Sequence, residues 1–190
     1  VMHRKNLTVV THAHAQRLIL DGRKATGIEL IVNGSRQSAR ASREIVLASG
    51  SIGSPQLLQL SGIGPGEILR QHGIEVRHEL KGVGENLQDH LQIRCAYKVQ
   101  GVKTMNERYQ SLFQQAGFAL QFLLFQRGPM TMSPSQLGAF TRSDPSRETP
   151  NIQYHIQPLT LPKFGESLDP FPAFTASVCN LRPTSRGWVR

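Results

Sequence analysis

The 190-residue sequence contains only two cysteines, one tryptophan and no long apolar run. Cys95 and Cys179 are far apart and form no C-x-x-C pair, so neither a disulfide framework nor a zinc site is predicted. The densest apolar stretch, from Phe118 to Phe125, is far shorter than the roughly 20 residues that cross a bilayer. The sequence therefore predicts a globular chain with buried thiols, no bound metal and no transmembrane segment within these residues.

Charge of one sign is not concentrated anywhere in the chain. The formal net charge is +9, from 22 Lys and Arg against 13 Asp and Glu, an excess that would suit nucleic acid or another anionic partner. However, no run of five like charges occurs, and the basic residues are spread from Arg4 to Arg190. This distribution indicates a generally basic, solvated surface, and nucleic acid is not a predicted partner.

The first ninety residues have the pattern of strands with two short helices. Leu18 and Leu20 alternate with polar neighbours, a turn follows at 21–24, and Asn33-Gly34 is a strong hairpin signal, which together predict a β-meander. The apolar, partly β-branched run Glu44–Ala48 predicts a buried strand.

The most informative stretch, from Gly50 to Gly64, reads GSIGSPQLLQLSGIG. Ser54 suits the N-cap and Pro55 the first position of a helix that ends near Leu60, before Gly62. A second helix is predicted over 65–72, ended by a glycine. A strand that leads through a small-residue turn into a helix N-terminus suits an anionic cofactor, because backbone N–H groups and the helix dipole both favour negative charge there. No G-x-S-x-G elbow is present, which argues against a serine hydrolase.

The second half of the chain has longer irregular segments. A strand is predicted over 93–99 and a helix over 107–127, with apolar residues at helical spacing and a stop at Gly128-Pro129. Further strands are predicted over 152–156, over 174–181 and from Gly187, joined by proline-rich loops.

The Gly50–Gly64 stretch resembles a signature motif of the glucose-methanol-choline (GMC) family of FAD-dependent oxidoreductases, and specifically its choline dehydrogenase-like members. The resemblance covers nearly the whole chain. Asn6–Thr11 resembles the family strand that leads to the adenine site, Gly82–His90 resembles the loop after the motif, and two later segments also fit, Gly128–Thr131 and Arg182–Gly187. It implies an α+β or α/β fold, with residues 1–91 as part of a Rossmann-like FAD-binding domain. Residues 92–190 would then be part of a substrate domain built on an antiparallel sheet.

Two features that the family carries do not occur in this sequence. There is no G-x-G-x-x-G turn for the FAD pyrophosphate, and the catalytic histidine of the family is expected beyond Arg190. The resemblance therefore predicts an internal fragment of a longer enzyme, without a catalytic residue of its own and with weak or no affinity for FAD in isolation.

The resemblance assigns candidate site residues. The backbone of Ala15 would contact the adenine edge, the residues Ser49, Gly50 and Ser51 would lie against the phosphate and ribose of FAD, and Asn86 would lie near the cofactor. Asp89 and His90 are predicted to be structural or near the flavin. His12 and His14 offer a metal site as an alternative, since they would share one face of a strand.

The loop from Met130 to Phe140 resembles the segment that borders the substrate cavity, where choline-oxidising members carry a carboxylate. Gln136 stands at that position, so a neutral primary alcohol is a better predicted substrate than choline. The predicted reaction is oxidation of a primary alcohol to an aldehyde by hydride transfer to flavin, with an unassigned electron acceptor. The alternatives are a GMC oxidase, a hydroxynitrile lyase or a non-catalytic basic binding module, and the expected location is cytoplasmic or peripheral to a membrane.

Overall fold

The computed structural model describes residues 2–133, 135–163 and 165–190, which form two compact units. The first unit contains residues up to 88 together with 185–190, and the second contains 89–184. The prediction had placed 185–190 in the second domain. This segment packs with the first unit because Leu87 and Gly187 exchange two backbone hydrogen bonds of 2.9 and 2.7 Å, and the Val189 N–H donates to the Gly84 carbonyl at 2.7 Å.

The first unit is built on a three-stranded antiparallel meander. Its strands are β1 (Ala13–Asp21), β2 (Lys24–Val32) and β3 (Ser35–Arg40), in the order β1-β2-β3. The meander prediction is confirmed, with tight turns at Gly22 and at Asn33-Gly34. The polar stretch after the second turn, which had no predicted strand, forms β3 because it pairs along its whole length with β2.

Two helices follow the meander: α1 (Gly50–Leu60) and α2 (Gly66–Gln71). Around α2, two short parallel strands pair, β4 (Ile63–Gly64) with β5 (His78–Glu79). The end of α1 and the bounds of α2 agree with the prediction to within one residue. The predicted start of α1 was wrong: Ser49 is its N-cap, and the Ser54 hydroxyl accepts the Ser49 N–H at 3.0 Å instead of capping a later helix.

A buried serine joins α1 to the meander. The Ser61 hydroxyl donates to the Leu57 carbonyl at 2.6 Å and accepts the Leu18 N–H at 2.8 Å. Because Leu18 and Leu57 are both in the small apolar core of this unit, the hydroxyl satisfies two backbone groups where water has no access.

Two predicted strands are absent from the first unit as described. Residues 6–11 and 44–48 are not strands, and in the second segment Val46 is 77% exposed. The expectation of a buried strand at 44–48 was therefore wrong for this structure. A β-strand exists only through its ladder of hydrogen bonds, and neither segment has a partner strand among the described residues.

The second unit is built on a four-stranded antiparallel sheet. Its strands are β6 (Gln92–Lys98), β7 (Leu137–Thr141), β8 (Ile152–Gln157) and β9 (Ala173–Asn180), in the order β6-β9-β8-β7. The antiparallel sheet and three of its strands confirm the prediction. β7 was not predicted, because it lies inside the 130–140 segment that was interpreted as a loop. At Gly187 there is an isolated bridge rather than a strand.

The helix predicted over 107–127 is two helices, α3 (Met105–Gln110) and α4 (Leu112–Phe125). They separate at Ser111, whose backbone is extended and whose hydroxyl accepts the Gln114 N–H to start α4. The apolar residues of α4 recur at helical spacing as predicted, but Leu112 and Phe113 are 80% and 89% exposed. In the described ranges, no helix is both long and apolar enough to span a bilayer.

A buried amide fixes α3 to the loop after β8. Asn106 is fully buried, and its Nδ2 donates to the Thr160 hydroxyl at 2.8 Å, the Thr160 carbonyl at 3.3 Å and the Asp169 carbonyl at 3.0 Å. Its Oδ1 accepts the Thr160 N–H at 2.9 Å. Every donor and one acceptor site of the amide are therefore used, which makes Asn106 the polar centre of this end of the unit.

Candidate functional site

The candidate cofactor residues Ser49, Gly50 and Ser51 form the exposed N-terminus of α1. Gly50 has φ +78°, a left-handed conformation that disfavours any residue with a Cβ. Among the described side chains, none caps the first turn of α1. The N–H groups of Gly50 and Ser51 are thus available to an anion, whereas the Ser49 N–H donates to the Ser54 hydroxyl.

Ala15 lies in β1, which is an edge strand of the meander, opposite Leu30. The Asn33 N–H donates to the His12 carbonyl, and hydrogen-bonded pairs alternate along an antiparallel ladder. The positions Ala13 and Ala15 therefore direct their backbone N–H and C=O away from β2, toward the open edge. Such an edge is able to pair with the polar rim of a planar base, as the prediction for Ala15 requires.

The remaining predicted positions lie in turns. Asn86 is exposed with φ +65°, a conformation that asparagine tolerates better than most residues, and it precedes the Leu87 bridge. The Asp89 carboxylate accepts a hydrogen bond from the backbone N–H of His90 at 2.9 Å, and both residues are exposed.

The metal alternative at His12 and His14 does not agree with the backbone. His12 has φ +52° and precedes β1, so the alternation of strand side chains does not include it. In the described part of the chain, no group of three His, Cys, Asp or Glu residues is placed to hold a metal ion.

Gln136 lies directly before β7, where its N–H donates to the Ile156 carbonyl at 3.1 Å. It borders a cavity of the second unit that is also lined by residues of α3 and of the 128–133 segment. Two cations, Lys103 and Arg108, line the same cavity, and no described lining residue is acidic. The charged residues that line this cavity, among those described, are thus both positive. Pro134, in the same predicted loop, lies outside the described residues.

One face of the four-stranded sheet is polar, and sequence analysis missed it. Residues directly opposite each other on antiparallel strands share a face, and Ser177 of β9 lies opposite Arg94 of β6 and His155 of β8. The same alternation adds polar residues at neighbouring positions, namely Gln153, Gln157 and Thr175. The period-two pattern in NIQYHIQ and FTASV was the signal that would have found this face.

Shifted pKa values within the described residues occur away from these positions. The Arg17 guanidinium hydrogen-bonds Glu29 on the meander, which lowers the pKa of Glu29 and raises the pKa of Arg17. Hydrogen bonds from the Ser146 hydroxyl and N–H lower the pKa of Asp144 in the turn between β7 and β8. These exposed pairs stabilise local surface geometry and do not mark an acid–base site.

The fold matches that of known flavoenzymes. The chain superimposes on a formate oxidase of Aspergillus oryzae studied for its FAD modification, with a TM-score of 0.82 and 23% identity, over 96% of this chain and 37% of that one. It superimposes on pyridoxine 4-oxidase from Mesorbium loti with a TM-score of 0.73 and 26% identity, over 99% of this chain and 33% of that one. These likenesses show that the chain has the mixed helix and sheet fold of the matching part of these two oxidases.

Residues 1–92 match the family model described as GMC oxidoreductase. Over 187 residues, the chain is 39% identical to the oxygen-dependent choline dehydrogenase of Pectobacterium atrosepticum, which covers 98% of this chain and 33% of that protein. This match and this identity confirm the predicted resemblance to the GMC oxidoreductase family. It spans about a third of the length of this relative.

Proposed function

We propose that the protein is an FAD-dependent oxidoreductase that oxidises the CH–OH group of a small alcohol. The observation that carries this proposal is the 39% identity to a choline dehydrogenase across 98% of the chain, which includes both structural units. The residues of the first unit supply cofactor contacts, and those of the second supply the surroundings of the substrate.

The chemistry of the first unit fits a dinucleotide. The exposed N–H groups of Gly50 and Ser51 suit a phosphate, and the open edge at Ala15 suits the adenine rim. Asn86, in an exposed turn of the same unit, is the third proposed cofactor contact. When bound, FAD supplies the two-electron acceptor for the reaction; the residues of this chain bind and orient it.

The second unit offers two surfaces for an alcohol. The polar sheet face presents His155, which is able to donate or accept a hydrogen bond with a hydroxyl group. The cavity beside Gln136 contains Lys103 and Arg108, whose charges repel a quaternary ammonium. The histidine suits any primary alcohol, and the two cations favour a neutral alcohol over choline.

The direct test uses the protein expressed from its complete reading frame. Anaerobic addition of primary alcohols is expected to bleach the visible absorbance of bound flavin, and a carbonyl product is expected in equal amount. Protein that folds without flavin, or flavin that no alcohol reduces, would overturn the proposal. Peroxide formation in air then separates an oxidase from a dehydrogenase that uses another acceptor.

Gly50→Val is expected to weaken flavin binding by at least about tenfold, because a β-branched residue disfavours φ +78° and the first turn of α1 then loses its geometry. The measurement is flavin stoichiometry after dialysis, with folding checked by circular dichroism. The matched control is Gly101→Val, where φ is +76° and a new Cβ meets no atom within 4 Å. Retained stoichiometric FAD in the Gly50 variant would show that this turn is only structural.

Gln136→Glu is expected to shift substrate preference toward cationic alcohols. A carboxylate attracts an ammonium group far more than an amide does, and one such contact changes relative kcat/KM by roughly ten- to a hundredfold. Because Lys103 and Arg108 line the same cavity and partly neutralise a new carboxylate, we expect the lower end, about tenfold. The measurement is the ratio of kcat/KM for choline to that for a neutral alcohol of similar size.

The control for that shift is Gln136→Met, which keeps the length of the side chain without charge and is expected to leave the ratio unchanged. An equal ratio in wild type and Gln136→Glu would remove Gln136 from the substrate cavity. If the kcat/KM ratio changes by the same factor in Gln136→Glu and in Gln136→Met, the effect comes from side-chain packing and not from charge.

A further inference from the structure

The Ser177 hydroxyl is a buried polar group without a hydrogen-bond partner in the described part of the chain. Ser177 is 1% exposed, and its Oγ accepts and donates no hydrogen bond within the described residues. A buried hydroxyl without a partner costs roughly 1 to 3 kcal/mol, so native structures rarely retain one without a reason. The group lies on β9, the central strand that pairs with both β6 and β8.

The neighbours of Ser177 identify a partner for this hydroxyl. Arg94 lies opposite it on β6 and already has an interaction of its own. The next hydroxyl on the same face, that of Thr175, donates to the Leu159 carbonyl at 2.8 Å. His155 lies opposite Ser177 on β8, and such pairs have Cβ atoms about 4.5 to 5.5 Å apart. A rotation of the imidazole about its side-chain bonds therefore brings a ring nitrogen within reach of the Ser177 oxygen.

We propose that Ser177 is a positioning residue for His155. Its oxygen accepts the N–H of the imidazole, which fixes one tautomer and directs the other ring nitrogen, as an acceptor, toward the hydroxyl group of the substrate. The proposal rests on the proposed function, in which this polar face surrounds the alcohol. It also gives a role to a serine hydroxyl at a fully buried position of a central strand. The hydroxyl accepts a hydrogen bond from the His155 imidazole when that ring rotates toward it.

The kinetic test compares Ser177→Ala, His155→Gln and the double variant in the flavin-loaded protein. We expect Ser177→Ala to lower kcat/KM for a primary alcohol roughly tenfold, the equivalent of one hydrogen bond. We expect no further loss when it is added to His155→Gln, because the serine acts only through the imidazole. Ser177→Thr, which keeps the hydroxyl, is expected to retain more activity than Ser177→Ala. Independent, multiplying effects of the two substitutions would overturn the proposal.

Two further readouts do not depend on turnover. Thermal unfolding is expected to show no loss of stability in Ser177→Ala, whereas the control Thr175→Val, which removes the bond to Leu159, is expected to unfold at lower temperature. In ¹⁵N-labelled protein, the His155 ring signals, assigned with His155→Gln, are expected to show one dominant tautomer in wild type and a mixture in Ser177→Ala.

The outcomes separate this inference from the proposed function. If Ser177→Ala is less stable but its kinetics and its His155 tautomers are unchanged, the hydroxyl has a structural role and the proposal is wrong. A tautomer change without any alcohol oxidation keeps Ser177 as the partner of His155 and rejects the proposed substrate class.

Discussion

Gly62→Ala is expected to destabilise the first unit by about 3 kcal/mol or more. Gly62 has φ +81°, and an added Cβ would overlap the Glu75 carbonyl oxygen and lie 2.8 Å from Cγ of Arg77. A left-handed conformation costs a residue with a Cβ roughly 1 to 2 kcal/mol, and overpacking costs typically about 1 to 3 kcal/mol more. The backbone cannot move away easily, because the Gly62 carbonyl accepts the N–H groups of both Arg77 and His78.

Urea unfolding followed by tryptophan fluorescence measures this effect. Trp188 is the single tryptophan and belongs to the first unit, so its signal reports the unit that carries the substitution. The matched control is Gly34→Ala, because Gly34 has the same φ of +81° and an added Cβ there meets no atom within 4 Å. The control is expected to show only the conformational cost. Equal losses in the two variants would mean that the contacts of Gly62 with Glu75 and Arg77 do not matter.

Asn106→Leu is expected to destabilise the second unit by about 3 to 5 kcal/mol. Leucine has nearly the same size, but it makes none of the four hydrogen bonds of the amide. The Thr160 N–H then remains buried without an acceptor, and a buried donor left in this way costs about 1 to 3 kcal/mol by itself. Loss of a complete buried network is one of the few mechanisms that give such large effects.

Tyrosine fluorescence is the measurement for this variant, because all three tyrosines, at positions 97, 109 and 154, belong to the second unit. A double-mutant cycle with Thr160→Val isolates the 2.8 Å bond from the amide to the hydroxyl. We expect a coupling energy of about 1 kcal/mol or more, since the two residues share one network. A loss below about 1 kcal/mol in Asn106→Leu would show that water replaces the amide, contrary to its full burial.

Local patterns in the sequence were enough to predict the meander and α2. The turns at 21–24 and at Asn33-Gly34 depend on residues within a few positions of each other, and tight-turn geometry fixes the register of the strands on either side. The same patterns predicted the start of α1 wrongly. Ser54 has the residue type of an N-cap, but its hydroxyl accepts the N–H of Ser49, a competition that residue type alone does not reveal.

The residues of the candidate site also fall into two groups, those that the sequence revealed and those that only the structure revealed. The sequence pointed to Ser49–Ser51 because they match a family motif, and to Gln136 because it stands where choline-oxidising members carry a carboxylate. It did not point to His155 and Ser177, which are 22 positions apart and become neighbours only through the pairing of β8 with β9. Their alternation with apolar residues was visible, but which strands pair was not, because pairing depends on contacts distant in sequence.

The sequence by itself determined the family, the order of most strands and helices, and the small-residue turn at the start of α1, since these depend on local chemistry and on a motif of fifteen residues. Only the tertiary structure decided that residues 185–190 pack with the first unit, that Asn106 and Ser61 are buried polar centres, and that one face of the second sheet is polar. The physical reason is that burial and hydrogen-bond partners belong to the folded arrangement of distant segments, whereas turns and helix ends are set by neighbouring residues.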